Sequence, residues 1–128
     1  HVLRVVNKYL NENDIRILNY DFEEALKGIR KGSFVYFDPP YMPISDSSSF
    51  TGYTLDGFNI EDQIRLKNLC DNLDGKGVKF LLSNSSAPFI LDLYKDYNIE
   101  FVNAKRSINS IAGGRGEIKE ILVKNYDL

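Results

Sequence analysis

Four consecutive residues, Asp38, Pro39, Pro40 and Tyr41, combine groups that could act on an amino group attached to a planar ring. Each proline fixes its own φ and has no N–H, so the backbone carbonyls here are rigidly placed acceptors. A carboxylate and a neighbouring carbonyl can accept both hydrogens of one amino group, and the tyrosine can stack on a planar base. The alternative is a strand that ends in a proline turn, with Asp38 as a cap and Tyr41 packed against the protein.

Two further polar clusters follow predicted strands, at residues 19–21 (Asn-Tyr-Asp) and 83–86 (Ser-Asn-Ser-Ser). Ligands of open α/β sheets bind beyond the carboxyl ends of the strands. We therefore expect both clusters to converge with Asp38 on one edge of a sheet. For Ser83 and Asn84, capping of a strand end is the alternative role.

Strands that alternate with helices predict an α/β sheet that is mostly parallel. The run at 34–37 is continuously apolar, as in a strand covered on both faces. The last two strands have no helix between them, so we expect them to pair antiparallel. Predicted strands lie at 15–18, 34–37, 78–82, 99–102 and 118–124, and predicted helices at 2–10, 21–29, 59–75 and 87–97.

Composition limits the class of protein. The chain has 128 residues, 43% of them hydrophobic, which suits one domain with a buried core. Its net charge of −2 argues against nucleic-acid binding over the whole surface. However, residues 103–116 carry three cations and no acid, so a polyanion would bind at this loop.

Cysteine and histidine are rare. Cys70 is the single cysteine and reads as a core-facing helix residue, and the absence of a disulfide partner favours a reducing, cytoplasmic location. His1 is the single histidine, so we expect no metal site. No apolar run approaches the roughly 20 residues that span a bilayer, so we expect no membrane partner.

The order of the motifs resembles that of Dam-type DNA adenine-N6 methyltransferases. Asp38 to Tyr41 matches motif IV of the amino-group methyltransferases that use S-adenosylmethionine. A Phe-Thr-x-Tyr loop follows at 50–53, then a helix with Gln63, then a strand that ends in Ser-Asn at 83–84. Arg-Ser-Ile at 106–108 and a Gly-Gly pair followed directly by Arg115 complete the pattern, the last without the usual one-residue spacer.

This resemblance implies a Rossmann-like class I methyltransferase sheet, of which the chain would hold a part. It implies that Asp38 and the Pro39 carbonyl accept the two hydrogens of adenine N6, with Pro40 completing the rigid turn. Tyr41 would stack on the adenine, which has to be extruded from the duplex because N6 lies inside the base stack.

The resemblance also assigns binding residues. Asp21, Phe22 and Asp38 would contact the cofactor S-adenosylmethionine, although Asp21 is equally suited to cap a helix because Glu24 follows it. The residues implied to contact DNA are Phe50, Tyr53, Arg106, Ser107 and Arg115. The alternatives are loop aromatics that cover the sheet edge and arginines that are merely solvated.

The Dam-type pattern begins with a glycine-rich cofactor loop that has no counterpart here, and of the target-recognition region at most residues 2–10 are present. We therefore expect residues 1–128 to be the carboxyl-terminal part of one catalytic domain. Such a part would leave a sheet edge and apolar surface exposed. We expect it to bind the methyl donor weakly, to be inactive alone and to self-associate.

Three functions remain open from the sequence. The first is transfer of methyl to adenine in duplex DNA, with GATC as the target implied by resemblance, in a restriction-modification or Dam-like system. The second is an RNA amino-group methyltransferase, because some ribosomal guanine-N2 enzymes share the tetrapeptide. The third is a non-catalytic module that binds DNA.

Overall fold

The computed structural model describes residues 1–44, 57–104 and 118–127. In these ranges four helices and four strands are present. The helices are α1 (Val2–Glu12), α2 (Phe22–Ala25), α3 (Ile60–Gly75) and α4 (Pro88–Leu93). The strands are β1 (Phe34–Phe37), β2 (Lys79–Ser85), β3 (Asn98–Ala104) and β4 (Ile118–Lys124).

The strands form one mixed sheet in the order β1-β2-β4-β3. β1 pairs with β2 in parallel, and β4 pairs antiparallel with both β2 and β3. The α/β class and the antiparallel pairing of the last two strands are thus confirmed. The expected mostly parallel sheet is met in part: β1, β2 and β3 run in the same direction, but β4 lies between β2 and β3 and runs opposite to both, so only the β1–β2 pair is hydrogen-bonded in parallel.

Two predictions about individual strands are wrong. Residues 15–18 form no strand and are exposed, with Ile17 at 82%, because no described strand lies beside them to share backbone hydrogen bonds. β1 is covered on one face rather than two. Val35 and Phe37 are buried, whereas Phe34 and Tyr36 are each 56% exposed.

The core lies between α3, α4 and one face of the sheet. Phe80 is fully buried in β2, and its ring meets Tyr97 edge-on at 5.2 Å between centroids. Cys70 points into this core, as predicted. The other core side chains that are at most 2% exposed are Leu66, Leu73, Val78, Leu82, Ala87, Ile90, Tyr94, Ile121 and Val123.

Capping residues define where α3 begins and ends. Asn59 and Asp62 each accept a hydrogen bond from the other's backbone N–H, which forms a capping box at the start of the helix. The helix ends at Gly75, and Gly77 turns the chain into β2 with φ +73°. That backbone conformation favours glycine, which has no Cβ to clash.

The helices α2 and α4 are shorter than predicted. Asp21 does cap α2, since its Oδ1 accepts from the Glu23 N–H at 3.1 Å, but the helix stops at Ala25 and Gly28 leaves the helical region with φ +81°. Pro88 opens α4 as expected, but that helix ends at Leu93 instead of residue 97.

The helix predicted at 2–10 is confirmed as α1, which extends to Glu12 and has no buried residue. Its apolar side chains are exposed, with Leu3 at 85% and Val2 at 72%. Within the part of the chain that the structure describes, none of the helices has the length and apolar character that crossing a membrane requires. The same residues contain no cluster of three or more metal-binding side chains.

Candidate active site

The carboxylate of Asp38 lies where β1 ends beside β2. Because the parallel register pairs Phe37 with Leu82, the next residues, Asp38 and Ser83, also come together. The Ser83 hydroxyl donates to Asp38 Oδ1 at 2.9 Å. Asp38 is exposed whereas Ser83 is 4% exposed, so a buried donor orients an accessible acceptor.

The side chain of Tyr41 reaches across to β4. Its hydroxyl donates to Glu120 Oε2 at 3.3 Å. Burial, together with the nearby carboxylates of Glu120 and Asp38, raises the pKa of the Tyr41 phenol above its ordinary value of 10.0. The phenol is therefore neutral at physiological pH, and its ring is partly exposed at the mouth of the site.

Two buried amides connect the tetrapeptide to α3 and β2. The side-chain N–H of Gln63 donates to the Pro40 carbonyl at 3.1 Å. Asn84 donates to Gln63 Oε1 at 3.1 Å and accepts from the Met42 N–H at 3.1 Å. The Ser85 hydroxyl donates to the Met42 carbonyl at 2.5 Å. The sequence indicated the edge of the sheet but not these contacts with the main chain.

A cavity of about 250 Å³ borders Asp38 and the end of β1, which is an edge strand of the described sheet. Phe22 and Phe58 supply aromatic wall, with ring centroids 6.3 Å apart. Asp38 is the charged residue of its lining. The full lining is Phe22, Tyr36, Phe37, Asp38, Pro39, Pro40, Phe58 and Leu66.

Arg65 of α3 supports this aromatic wall, and sequence reasoning missed it. Its guanidinium carbon lies 4.5 Å from the centroid of the Phe22 ring, a cation–π distance. It pairs with both oxygens of Asp21 at 2.7 Å and with Glu23 at 2.6 Å. The hydrogen bond from Arg65 lowers the pKa of Asp21, and those carboxylates raise the pKa of Arg65. Asp21 thus both caps α2 and holds Arg65.

The predicted convergence is therefore present for the tetrapeptide and for residues 83–85, and Phe22 faces the same cavity. Asp21 acts on the cavity indirectly, since it pairs with Arg65 and Arg65 packs on the Phe22 ring. The five residues predicted to contact DNA lie outside the described residues: Phe50, Tyr53, Arg106, Ser107 and Arg115.

Comparison with known proteins agrees with the motif order. A family model described as D12 class N6 adenine-specific DNA methyltransferase matches residues 1–108. The chain is 49% identical over 125 residues to the type II methyltransferase M1.LlaDCHI of Lactococcus lactis subsp. cremoris, covering 98% of this chain and 44% of that protein. It is 45% identical over 126 residues to the type II methyltransferase M.MjaIII of Methanocaldococcus jannaschii, covering 97% and 43%.

More distant relatives have related names. The chain is 30% identical over 102 residues to the DNA adenine methylase of Vibrio cholerae, which covers 79% of this chain and 37% of that protein. The chain spans less than half the length of these curated relatives.

Proposed function

The chain belongs to the D12 class of N6 adenine-specific DNA methyltransferases, and on that premise we propose that it forms the adenine-binding part of an enzyme that methylates adenine N6 in duplex DNA. The observation that carries the proposal is the position of Asp38 at the end of β1, where Ser83 of the parallel neighbour β2 donates to it at 2.9 Å. An exposed, oriented carboxylate next to rigid proline carbonyls is suited to accept the hydrogens of an exocyclic amine.

Asp38 and the Pro39 carbonyl are the two acceptors for N6. Gln63 already occupies the Pro40 carbonyl, so that carbonyl is the less suited of the two proline acceptors. The lone pair of adenine N6 is delocalised into the ring, which makes the nitrogen a poor nucleophile. Two fixed acceptors favour a tetrahedral nitrogen whose lone pair points away from them, so catalysis consists largely of positioning and electrostatics.

Tyr41 is the stacking residue for the extruded base. Its hydroxyl is held by Glu120 on β4, which leaves a face of the ring available at the mouth of the site. Stacking on an aromatic ring stabilises an unpaired base and is tolerant of its identity. In this arrangement the hydrogen-bond acceptors, not Tyr41, select an amino-bearing base.

The cavity beside Asp38 fits part of S-adenosylmethionine, which supplies an electrophilic methyl group when bound. The aromatic rings of Phe22 and Phe58 suit the packing of a purine, and the Asp38 carboxylate at the rim suits hydrogen-bond donors. Phe22 and Asp38 would hold the cofactor, with Asp21 fixing the Phe22 wall through Arg65.

Duplex DNA is the proposed partner. The relatives' names, DNA adenine methylase among them, support DNA over RNA as the substrate. Phosphate contacts by Arg106 and Arg115, with Ser107, would position the duplex, and Phe50 and Tyr53 would line the base pocket. A GATC target and a restriction-modification or Dam-like context belong to the same proposal.

The described sheet is proposed to be part of a Rossmann-like class I methyltransferase sheet in a cytoplasmic protein. That residues 1–128 are the carboxyl-terminal part of one catalytic domain, and that they self-associate when expressed alone, stay predictions.

Replacement of the acceptor tests the function. In the intact protein, Asp38→Ala is expected to lower methyl transfer to unmethylated duplex DNA at least about 100-fold, since one preorganised polar group at a reacting centre is typically worth that much. Duplex binding in a gel-shift assay is expected to persist, because phosphate contacts dominate affinity. Asp92→Ala, on the exposed surface of α4, is the matched control and keeps both activities. Transfer retained by Asp38→Ala, or wild-type transfer to ribosomal RNA in preference to DNA, would overturn the proposal.

A further inference from the structure

The main chain on both sides of Tyr41 is held by side chains of other elements. The carbonyl that precedes it, on Pro40, accepts from Gln63 of α3. The N–H that follows it, on Met42, donates to Asn84 of β2, and the Met42 carbonyl accepts from Ser85. Three hydrogen bonds from two elements thus flank a single residue of the tetrapeptide.

The side chains that make these bonds are buried. Gln63 is 2% exposed, Asn84 is 0% exposed and Ser85 is 3% exposed. Each amide is used at both ends, because Asn84 also donates to Gln63 at 3.1 Å. Buried hydrogen bonds that polarise one another are strong, and a buried polar group without a partner costs about 1–3 kcal/mol. The network therefore favours one arrangement of the Tyr41 backbone over its alternatives.

The Tyr41 ring itself is less firmly held. Its polar contacts are at the far end of the side chain, where the phenol oxygen lies 3.3 Å from Glu120 Oε2 and interacts with Ser83, and the residue is partly exposed. A ring that must lie parallel to an incoming base has to keep its tilt before that base arrives. The three main-chain hydrogen bonds, which we call the backbone clamp, fix the Cα–Cβ direction from which the ring projects, and so limit the tilts that rotation about χ1 and χ2 can give it.

We propose that Gln63 and Asn84 are positioning residues for the stacking ring of Tyr41, connecting helix α3 to the base pocket through the Pro40 carbonyl and the Met42 N–H. This inference rests on the proposed function. Neither side chain touches the reacting atoms; each acts through the main chain of the tetrapeptide.

Gln63→Glu is the sharpest test, because it replaces the N–H that faces the Pro40 carbonyl with an oxygen and keeps the acceptor for Asn84. Methyl transfer by the intact protein to unmethylated duplex DNA is measured at saturating methyl donor. We expect kcat to fall about 10- to 100-fold, the range for a misplacement near 1 Å. The KM for DNA is expected to change less than about threefold, because phosphate contacts dominate duplex affinity.

Asn68→Asp is the matched control. It makes the same amide-to-carboxylate change on the exposed face of the same helix, so it reproduces the added charge without touching the tetrapeptide. Its kcat is expected to equal that of the wild type. A Gln63→Glu variant that folds and keeps its kcat within about twofold of the Asn68→Asp variant would overturn the inference.

A double-mutant cycle separates positioning from general loosening of the site. In a Tyr41→Ala background, Gln63→Glu should have less than about a twofold further effect on kcat, because no ring remains to be positioned. An undiminished effect in that background would mean that Gln63 acts on something other than Tyr41.

If Gln63→Glu does not fold, Ser85→Ala decides. It removes the hydroxyl that binds the Met42 carbonyl without burying a charge, and we expect its kcat to fall at least about threefold with KM unchanged. If Ser85→Ala keeps the kcat of the wild type, the inference that the main-chain hydrogen bonds position Tyr41 would be refuted. A wild-type protein that transfers no methyl to DNA would instead refute the proposed function, and the inference with it.

Discussion

The ring of Tyr41, rather than its hydroxyl, is expected to carry its contribution to catalysis, and two substitutions separate the parts. Tyr41→Phe keeps the ring and removes the hydroxyl that donates to Glu120. Tyr41→Ala removes both. We expect very different losses, because the hydroxyl makes a long hydrogen bond to Glu120 and interacts with Ser83, whereas the ring is the group proposed to stack on the base.

The magnitudes follow from these contacts. A hydrogen bond of 3.3 Å at a partly exposed position is worth at most about 1 kcal/mol, so Tyr41→Phe should lower kcat no more than about fivefold. Stacking is worth about 1–3 kcal/mol per base, so Tyr41→Ala should lower kcat about 5- to 150-fold. If removal of the ring also loosens the contacts of Pro40 and Met42, the decrease in kcat would grow for Tyr41→Ala but not for Tyr41→Phe.

Steady-state methyl transfer to unmethylated duplex DNA measures both variants against the wild type. The rate should also show no titration of Tyr41 near neutral pH, because burial raises the pKa of the phenol above its ordinary value of 10.0 and keeps it protonated there. If Tyr41→Phe lowered kcat as much as Tyr41→Ala does, the hydroxyl would take part in the chemistry, and the assignment of Tyr41 as a stacking residue would be wrong.

Three other predictions concern the surrounding structure. Gly77→Ala should lower the free energy of unfolding by about 1 kcal/mol, because Gly77 has φ +73°. Gly75→Ala should raise the free energy of unfolding by about 0.5–1 kcal/mol, because Gly75 has helical backbone and open space around the position of a Cβ. Urea denaturation measures both changes, and two changes of the same sign would contradict the argument. Burial raises the pKa of the Cys70 thiol to about 12, so it should react with a maleimide at pH 8 only after unfolding, and prompt labelling of native protein would show that α3 opens. In the intact protein, Arg65→Met should weaken S-adenosylmethionine binding severalfold in calorimetry, because the guanidinium that packs on Phe22 is lost. Stability should change little because the Arg65 side chain is 42% exposed, and unchanged affinity would remove Arg65 from the site.

Much of the candidate site could be predicted because it depends on strand ends. Once two neighbouring strands are parallel, the residues that follow them must meet, which is why Asp38 and Ser83 could be placed together from the sequence. The Gln63 and Asn84 contacts could not be derived in this way. They depend on the rotation of α3 about its axis and on its height above β2, and both are set by core packing rather than by local pattern.

The wrong predictions about the fold have the same origin, because they too depend on tertiary contacts that a local sequence pattern does not specify. Residues 15–18 have the apolar character of a strand, but a strand is stable only with a partner for its N–H and C=O groups, and sequence pattern does not report the partner. The run of four apolar residues in β1 was equally uninformative about its two faces, since Phe34 and Tyr36 are exposed while Val35 and Phe37 are buried. In α2 the cap at Asp21 was correct, but a cap specifies where a helix starts and not its length.

In the candidate site, exposed side chains are held by hydrogen bonds from buried ones. This difference in burial predicts which substitutions should affect activity without affecting stability. Asp38 is exposed, as its proposed role as acceptor for an incoming base requires, whereas Ser83, whose hydroxyl donates to it, is buried. When the exposed Asp38 carboxylate is removed, water can replace its hydrogen bonds, so we expect the loss to lower catalysis more than stability. Loss of the Asn84 amide removes the described partner of the Met42 N–H and that of Gln63 Oε1 in a buried environment, so we expect it to lower stability as well. We therefore expect substitution of the residues proposed to touch the base to spare stability, and substitution of the buried residues that hold them to lower it.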